Sequence, residues 1–312
     1  MSNLFPSFAP ETAGEERSAS LTLESFPARK AEVGALTVRR ILPVRERRMI
    51  GPWCFFDRFG PMSFASGKPM DVAPHPHIGL QTVSWLLSGE VMHNDSTGGE
   101  GLLHPGELNL MTAGAGIAHA EETPPAQSGK LDGVQLWVAL HDAYRHSEPS
   151  FTHYSDIPVA ELSGGHVTVI MGELANLRSP AKTLSPLVAS QVVIYKGAEL
   201  ELPLDPAFEH AFVILDGDAS FEKQPLPPDT LHYLGIDRDE LSFSSREGAR
   251  VLLLGGPPFG ETLLMWWNFV ARTAQEIEDA REDWAQHRRF GDVKAYRGLR
   301  LEAPPLRLRL KP

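Results

Sequence analysis

Two short segments of this 312-residue chain carry the side chains best suited to chemistry, His75-Pro-His77 and His119-Ala-Glu121. In an extended strand successive side chains alternate faces, so residues two apart point the same way. Each segment therefore offers a pair of donor groups to one side. If the two segments lie on neighbouring strands with both pairs facing inward, His75, His77, His119 and Glu121 place three imidazoles and one carboxylate around a single point. Glu122 then points to the opposite face and is excluded. Three neutral nitrogens and one carboxylate oxygen suit a borderline divalent ion, Fe(II) first and Mn, Co, Ni, Cu or Zn behind it, with coordination positions left open for water or substrate. An isolated His-x-His is more often a surface or hydrogen-bonding pair. The second pair at the same spacing turns the reading toward a metal.

Histidine is also crowded where such a site would need it. Of twelve histidines, His75, His77, His93, His104 and His119 fall within 45 residues, four more follow before residue 170, and the second half is nearly bare. His93 and His104 lie between the two pairs in turn-like contexts and are read as pocket-rim or supporting residues rather than ligands. His210 and His232 are solitary and read as ordinary polar residues. The single cysteine, Cys54, sits in Pro-Trp-Cys-Phe-Phe and reads as a small buried hydrophobe. It can form no intrachain disulfide and leaves no thiolate cluster, which argues against a closed structural zinc site. The glycine-rich run 112–118 has the spacing of neither a dinucleotide fingerprint nor a P-loop. It reads as a tight turn delivering His119 onto a strand. No Gly-x-Ser-x-Gly elbow is present for a serine hydrolase.

The elements that must position these residues are short strands. The chain holds 27 Gly and 26 Pro, well above a background of about 12% for the two together. Strand candidates over 36–42, 81–87, 133–140, 167–171, 188–195, 210–215 and 250–254 are each bounded by Gly, Pro, Asp or Ser. This pattern is that of an all-β protein of sandwiches or barrels. Helical signal is confined to the end, where Thr273-Ala-Gln-Glu276 matches a capping box and Ile277, Ala280 and Trp284 share a face, giving one helix over about 274–289. Segments 84–91 and 212–219 both run as an apolar strand into a Gly turn and out again, as a duplicated β-module would. The polar stretch 144–162, with Pro149 and Pro158, is the natural crossing. The expected organisation is a flexible leader over 1–30, a metal-binding domain over 31–150 and a second domain over 151–312.

Composition excludes several partners. With 29 Lys and Arg against 40 Asp and Glu, the net charge of −11 is a poor match to nucleic-acid phosphates or anionic lipid. Residues 1–10 lack a basic region followed by an apolar run, and no apolar stretch is long enough to span a bilayer. A soluble cytoplasmic protein is expected.

The run from His75-Pro-His-Ile-Gly-Leu-Gln to Gly89, and the run Pro105-Gly-Glu-Leu-Asn-Leu-Met-Thr-Ala-Gly-Ala-Gly-Ile-Ala-His-Ala-Glu121, resemble the two motifs of the pirins, a family with two cupin barrels, almost position for position. Val38-Arg-Arg40, Phe55-Phe-Asp-Arg-Phe59, Leu136-Trp-Val138 and the terminal helix extend the similarity over about residues 34–300. The resemblance implies metal ligands at His75, His77, His119 and Glu121, the four that strand alternation selects. It departs at Gln81, where pirins usually carry Glu, which removes a negative charge near the cavity. In the second half, aligning Gly217 with Gly89 places Pro203 and Asp205 where the first half has His75 and His77, so one metal per chain is expected.

Two classes of function are implied by the resemblance. Bacterial pirins resemble quercetinases, metal-dependent dioxygenases that open the central ring of a flavonol such as quercetin with O2 and release carbon monoxide. Glu121 would then take the hydroxyl proton as the catalytic base, and the partners would be a small phenolic substrate and O2. Eukaryotic relatives imply instead a non-catalytic, iron-dependent redox sensor that docks on a transcription factor or metabolic enzyme. A substrate-sized cavity with open coordination, and no charged docking patch, favours the first.

Overall fold

The computed structural model describes residues 22–34 and 36–306. Aromatic and β-branched runs, which fit a pleated and half-buried surface, form the strands of the first half: β1 (Glu24–Pro27), β2 (Arg29–Val33), β3 (Leu36–Leu42), β4 (Trp53–Ser63), β5 (Asp71–His77), β6 (Leu80–Gly89), β7 (Val91–Asp95), β8 (Glu100–Leu103), β9 (Leu108–Thr112), β10 (Ile117–Glu122), β11 (Lys130–Ala139) and β12 (Ser150–Tyr154). The second half supplies β13 (Val159–Leu162), β14 (Gly165–Leu174), β15 (Leu177–Arg178), β16 (Val188–Ile194), β17 (Glu199–Pro203), β18 (Glu209–Gly217), β19 (Ser220–Phe221), β20 (Gln224–Pro225), β21 (Thr230–Gly235), β22 (Glu240–Ser244) and β23 (Ala249–Gly256). A hairpin of β24 (Leu264–Trp266) and β25 (Phe269–Ala271) and one helix, α1 (Ala274–Ala285), follow.

The protein is all-β, with two cupin barrels and a terminal helix. One barrel pairs the sheet β12-β9-β6-β11-β4-β3-β2 with the smaller sheet β5-β10-β7-β8; the other pairs β1-β21-β18-β23-β16-β14-β13 with β17-β22-β19-β20. The two sets correspond position by position, which is the duplication suggested by segments 84–91 and 212–219. Gly89 and Gly217 close the equivalent strands β6 and β18 at φ +90° and +80°. A Cβ there would lie 2.1 Å from the Lys130 carbonyl oxygen and 2.0 Å from that of Gly248, respectively.

The ends of the chain cross between barrels, which local pattern does not reveal. Of the leader expected over 1–30, residues 1–21 lie outside the described residues, but 24–27 form β1, which pairs with β21 of the second barrel, and β2 begins at Arg29. Strand β12 pairs with β9, so the first barrel runs to Tyr154, past the boundary placed at 150. The segment after Gly256 returns to the first barrel: Ile277, Ala280 and Trp284 of α1 and Phe269 of β25 pack with Ile78 of the β5–β6 turn and with Ala118 and Ala120 of β10. The domain expected over 151–312 therefore gives its last fifty or so residues to the other barrel's sheet that carries His75, His77 and His119. Thr273 caps α1 by accepting from the Glu276 amide at 3.2 Å. The helix stops at Ala285 rather than 289, because His287 and Arg289 take left-handed φ of +56° and +68°.

The largest core is shared. Trp53, Phe56, Val83 and Trp85 of the first half interlock with Met171, Val213 and Leu252 of the second. Cys54 is buried, its thiol pushed up to about 12 by burial, as expected of a small core hydrophobe. Among the described residues no helix is long and apolar enough to cross a membrane.

Candidate metal centre

Strands β5 and β10 are antiparallel neighbours, with His75 directly opposite His119. Strand β10 pairs on its other side with β7, which sets Glu121 opposite His93 and His119 opposite Asp95. The turn before β10 includes Gly114, at φ +49°, where a Cβ would sit 2.0 Å from the Ser147 carbonyl oxygen. That close approach is why the glycine-rich run can bring the chain round to His119.

His75, His77 and His119 are buried, and their donor atoms lie within 4.8 Å of one another. Glu121 borders the same cavity, but its carboxylate groups with His93 and His119 rather than with His75 and His77. Its Oε1 accepts from the Ser84 hydroxyl at 3.1 Å. Burial raises the Glu121 carboxyl, against the proximity of His93 and the Ser84 hydrogen bond.

Hydrogen bonds decide which ring nitrogens are free. A carbonyl oxygen only accepts, so His75 Nδ1–H donates to Ala73 O at 2.9 Å and His77 Nδ1–H to Asn268 O at 3.1 Å. Both Nε2 atoms keep their lone pairs. Asp95 Oδ2 accepts from His93 Nε2–H at 3.1 Å, leaving His93 Nδ1 as an acceptor for His119 Nδ1–H at 3.3 Å. His119 Nε2 is then bare as well, 3.0 Å from His77 Nε2. Two facing lone pairs repel unless a cation joins them, and nitrogens about 2.1 Å from one ion at a right angle stand about 3.0 Å apart. Burial lowers His75 to about 4. It takes His77 and His119 well below the ordinary imidazole value, with neighbouring histidines adding to the shift. All three rings are therefore neutral at physiological pH, as ligation requires. The donor set fits a divalent metal.

The cavity around the cluster measures about 420 Å³. Phe55 and Trp137 stack at 3.9 Å on its wall, and Trp137 stands edge-on to His77 at 5.2 Å. Arg40, over the Phe55 ring, is paired with the buried Asp57 through bonds of 2.8 and 2.6 Å, so this pair offers donors and acceptors to the cavity without adding net charge. Leu36, Val38 and Met70 are among the apolar lining.

His93 is no rim residue: it is buried, stacked on Phe151 at 4.1 Å, and linked to His119. Asp95, which anchors it, was missed by sequence reasoning, although Asp95 lies two residues from His93 on one strand and so shares its face. His104 is half exposed and bonded to Glu107, away from the cavity. Gln81 also lies elsewhere. It stands three residues before Ser84 on β6, hence on the opposite face, and its amide donates to Thr112 Oγ1 at 2.9 Å and to Lys182 O at 3.4 Å. Its missing charge belongs to the junction between barrels, not to the metal pocket.

The second barrel has no such centre among the described residues. On β17 and β22, the counterparts of β5 and β10, Leu200 pairs with Phe243 and Leu202 with Leu241, and all four fill the barrel core. Pro203 ends β17 and Asp205 is exposed beyond it. His210 and His232 are buried, His232 being held by Ser25 and the Pro227 carbonyl.

Residues 35–138 match the family model described as Pirin, and residues 190–291 the model described as Pirin C-terminal cupin domain. The chain is 43% identical to a Pseudomonas aeruginosa protein provisionally named a quercetin 2,3-dioxygenase, over 91% of this chain and 90% of that protein. It is 36% identical to a pirin-like protein of Caulobacter vibrioides, over 83% of this chain and 91% of the relative. Among solved structures, a quercetin 2,3-dioxygenase from Acinetobacter baumannii matches with a TM-score of 0.88 at 43% identity, covering 92% of this chain and 97% of that one.

Proposed function

The chain belongs to the pirin family, and from that premise we propose that it is a metal-dependent dioxygenase opening the central ring of a flavonol such as quercetin, or of a similar phenolic, with O2 and release of carbon monoxide. The observation that carries this reading is the convergence of three neutral imidazole lone pairs on an aromatic-walled cavity of about 420 Å³. That volume suits one flat phenolic ligand. An ion held by His75, His77, His119 and Glu121, Fe(II) foremost, would supply Lewis acidity and a template for substrate and O2.

The chain's own residues handle the proton. Glu121 would take it from the flavonol 3-hydroxyl. Ser84 has one hydroxyl proton and two acceptors, Glu121 Oε1 at 3.1 Å and Gln135 Oε1 at 2.8 Å. With Glu121 ionised, Ser84 donates to it. Once Glu121 is protonated, Ser84 turns its proton to Gln135 and accepts from the new acid. Phe55, Trp137 and the aliphatic lining keep water from the reacting ring.

Anaerobically reconstituted protein, given quercetin and then air, should consume one O2 and release one carbon monoxide per flavonol opened. Absence of turnover with Fe, Mn, Co, Ni and Cu alike removes the assignment. A ferric form that captured a defined protein partner, where the ferrous form did not, would then favour the redox-sensor reading.

A further inference from the structure

The two adjacent tryptophans, Trp266 and Trp267, take no part in the centre described above. We propose that Trp267, at the tip of the β24–β25 hairpin, is the specificity-determining residue that selects flat, multi-ring phenols over single-ring ones by stacking on them. The inference rests on the reading of the cavity as a phenol site.

Three observations support it. Trp267 borders the cavity beside Asn268 and is only partly buried, so part of its ring is left open to a ligand. The same cavity is also lined by the stacked Phe55–Trp137 pair, close to His77. A flat ring reaching the imidazole cluster would find aromatic surface from Trp267 as well as from this pair. Finally, Trp267 holds φ +52°, a left-handed conformation that bulky side chains rarely adopt. Strain of this kind is kept where the surroundings impose it, and it concentrates at ligand clamps.

The surroundings do impose it. The Val270 amide donates to Ile78 O at 3.1 Å, and Phe269 forms a parallel bridge with Ile78, so the hairpin is pinned to the residue after His77. Trp267 meets Phe269 edge-on at 5.5 Å, which holds its ring in place. Glycine would suit the turn better, and a tryptophan there earns its place only through its side chain.

The test uses the full-length protein, metal-free and separately Zn(II)-loaded, titrated with quercetin and with catechol while tryptophan fluorescence is followed. Trp267→Phe and Trp267→Gly are compared with the native chain. Quercetin should quench the native protein, bind about tenfold more weakly to Trp267→Gly and show an intermediate loss with Trp267→Phe, the scale of one aromatic pair. Catechol affinity should be unchanged. Trp267→Gly should melt no lower than the native chain, which separates lost stacking from lost folding. Native-like quercetin affinity in Trp267→Gly, an equal loss for catechol, or no quenching of the native protein overturns the proposal. Ring binding that depends on Trp267 without carbon monoxide release would remove the reaction and leave this role standing. Carbon monoxide release with native quercetin affinity in Trp267→Gly would do the reverse.

Discussion

Changing Asp95 to Asn, with no ligand touched, should disable the metal centre. Asp95 Oδ1 accepts three hydrogen bonds, from the Thr97 amide at 2.8 Å, the Thr97 hydroxyl at 2.7 Å and the Gly99 amide at 3.0 Å. Burial alone would raise this carboxyl, but bonds from His93, Thr97 and Gly99 hold it below the usual range. In Asp95→Asn the amide oxygen must stay on the Oδ1 side, because an NH2 there would face three donors. The NH2 group therefore faces His93, which must accept through Nε2 and carry its proton on Nδ1. His119 Nδ1 then becomes the acceptor, and the proton moves to His119 Nε2, the atom needed for the ion. Such an outer hydrogen-bond partner is worth about 10–100-fold in metal affinity, or about 1.4–2.7 kcal/mol. Competition for Zn(II) or Ni(II) against a chromophoric chelator at pH 7 reads the change directly. A thermal melt of the metal-free variant controls for folding, and its midpoint should move by only a few degrees because the hydrogen bonds are conserved in number. Affinity within twofold of the native chain would refute the relay from Asp95 through His93 to His119.

Other expectations come from the same geometry. His75→Ala or His119→Ala should lose bound metal in elemental analysis, and a full complement in both variants would sink the ligand assignment. In the metal-free protein His75, held at about 4 in the fold against about 6.5 unfolded, binds its proton more readily when unfolded. His75 alone should therefore cost almost nothing above about pH 7.5 and about 3 kcal/mol as the pH drops to 4, with His77 and His119, lowered in the same direction, deepening the fall; urea unfolding across that range would contradict this if its midpoint did not move. Gly79→Ala adds a Cβ 2.1 Å from the Val270 carbonyl oxygen at φ +70°. It should cost about 2–4 kcal/mol and weaken metal binding by lifting the hairpin whose Asn268 carbonyl orients His77; unchanged unfolding and metal affinity would show that the hairpin does not hold the ligand.

The meeting of His75, His77 and His119 was legible in the sequence because i, i+2 spacing is a local property and the β5–β10 register needed only to bring His75 opposite His119. The grouping of Glu121 with His93, by contrast, follows a register irregularity between His119 and Glu121 that spacing does not show. The relay was harder to see. His93 and Asp95 reach His119 only because β7 lies along the far side of β10, a pairing that adjacent residues do not encode. Gln81 could have been placed correctly by counting faces along β6 from Ser84. Strand positions followed from apolar runs and Gly turns, whereas the crossing of β1 to the second barrel and the return of α1 to the first did not. Both depend on contacts between residues roughly two hundred positions apart, such as Phe26 with Leu231 and Ile78 with Phe269. The empty place of a second site was legible as missing histidines, but its occupation by Leu200, Leu202, Leu241 and Phe243 became visible only with the strands paired.

Anomalous diffraction at the metal edge, from a crystal loaded anaerobically with Ni(II) or Fe(II) and soaked with quercetin, tests the central claim most directly. The expected result is one peak per chain, bounded by His75, His77 and His119 Nε2 and a Glu121 oxygen, with the flavonol oxygens beside it. A peak in the second barrel, or one held through His93 with His75 and His77 unbound, would contradict it.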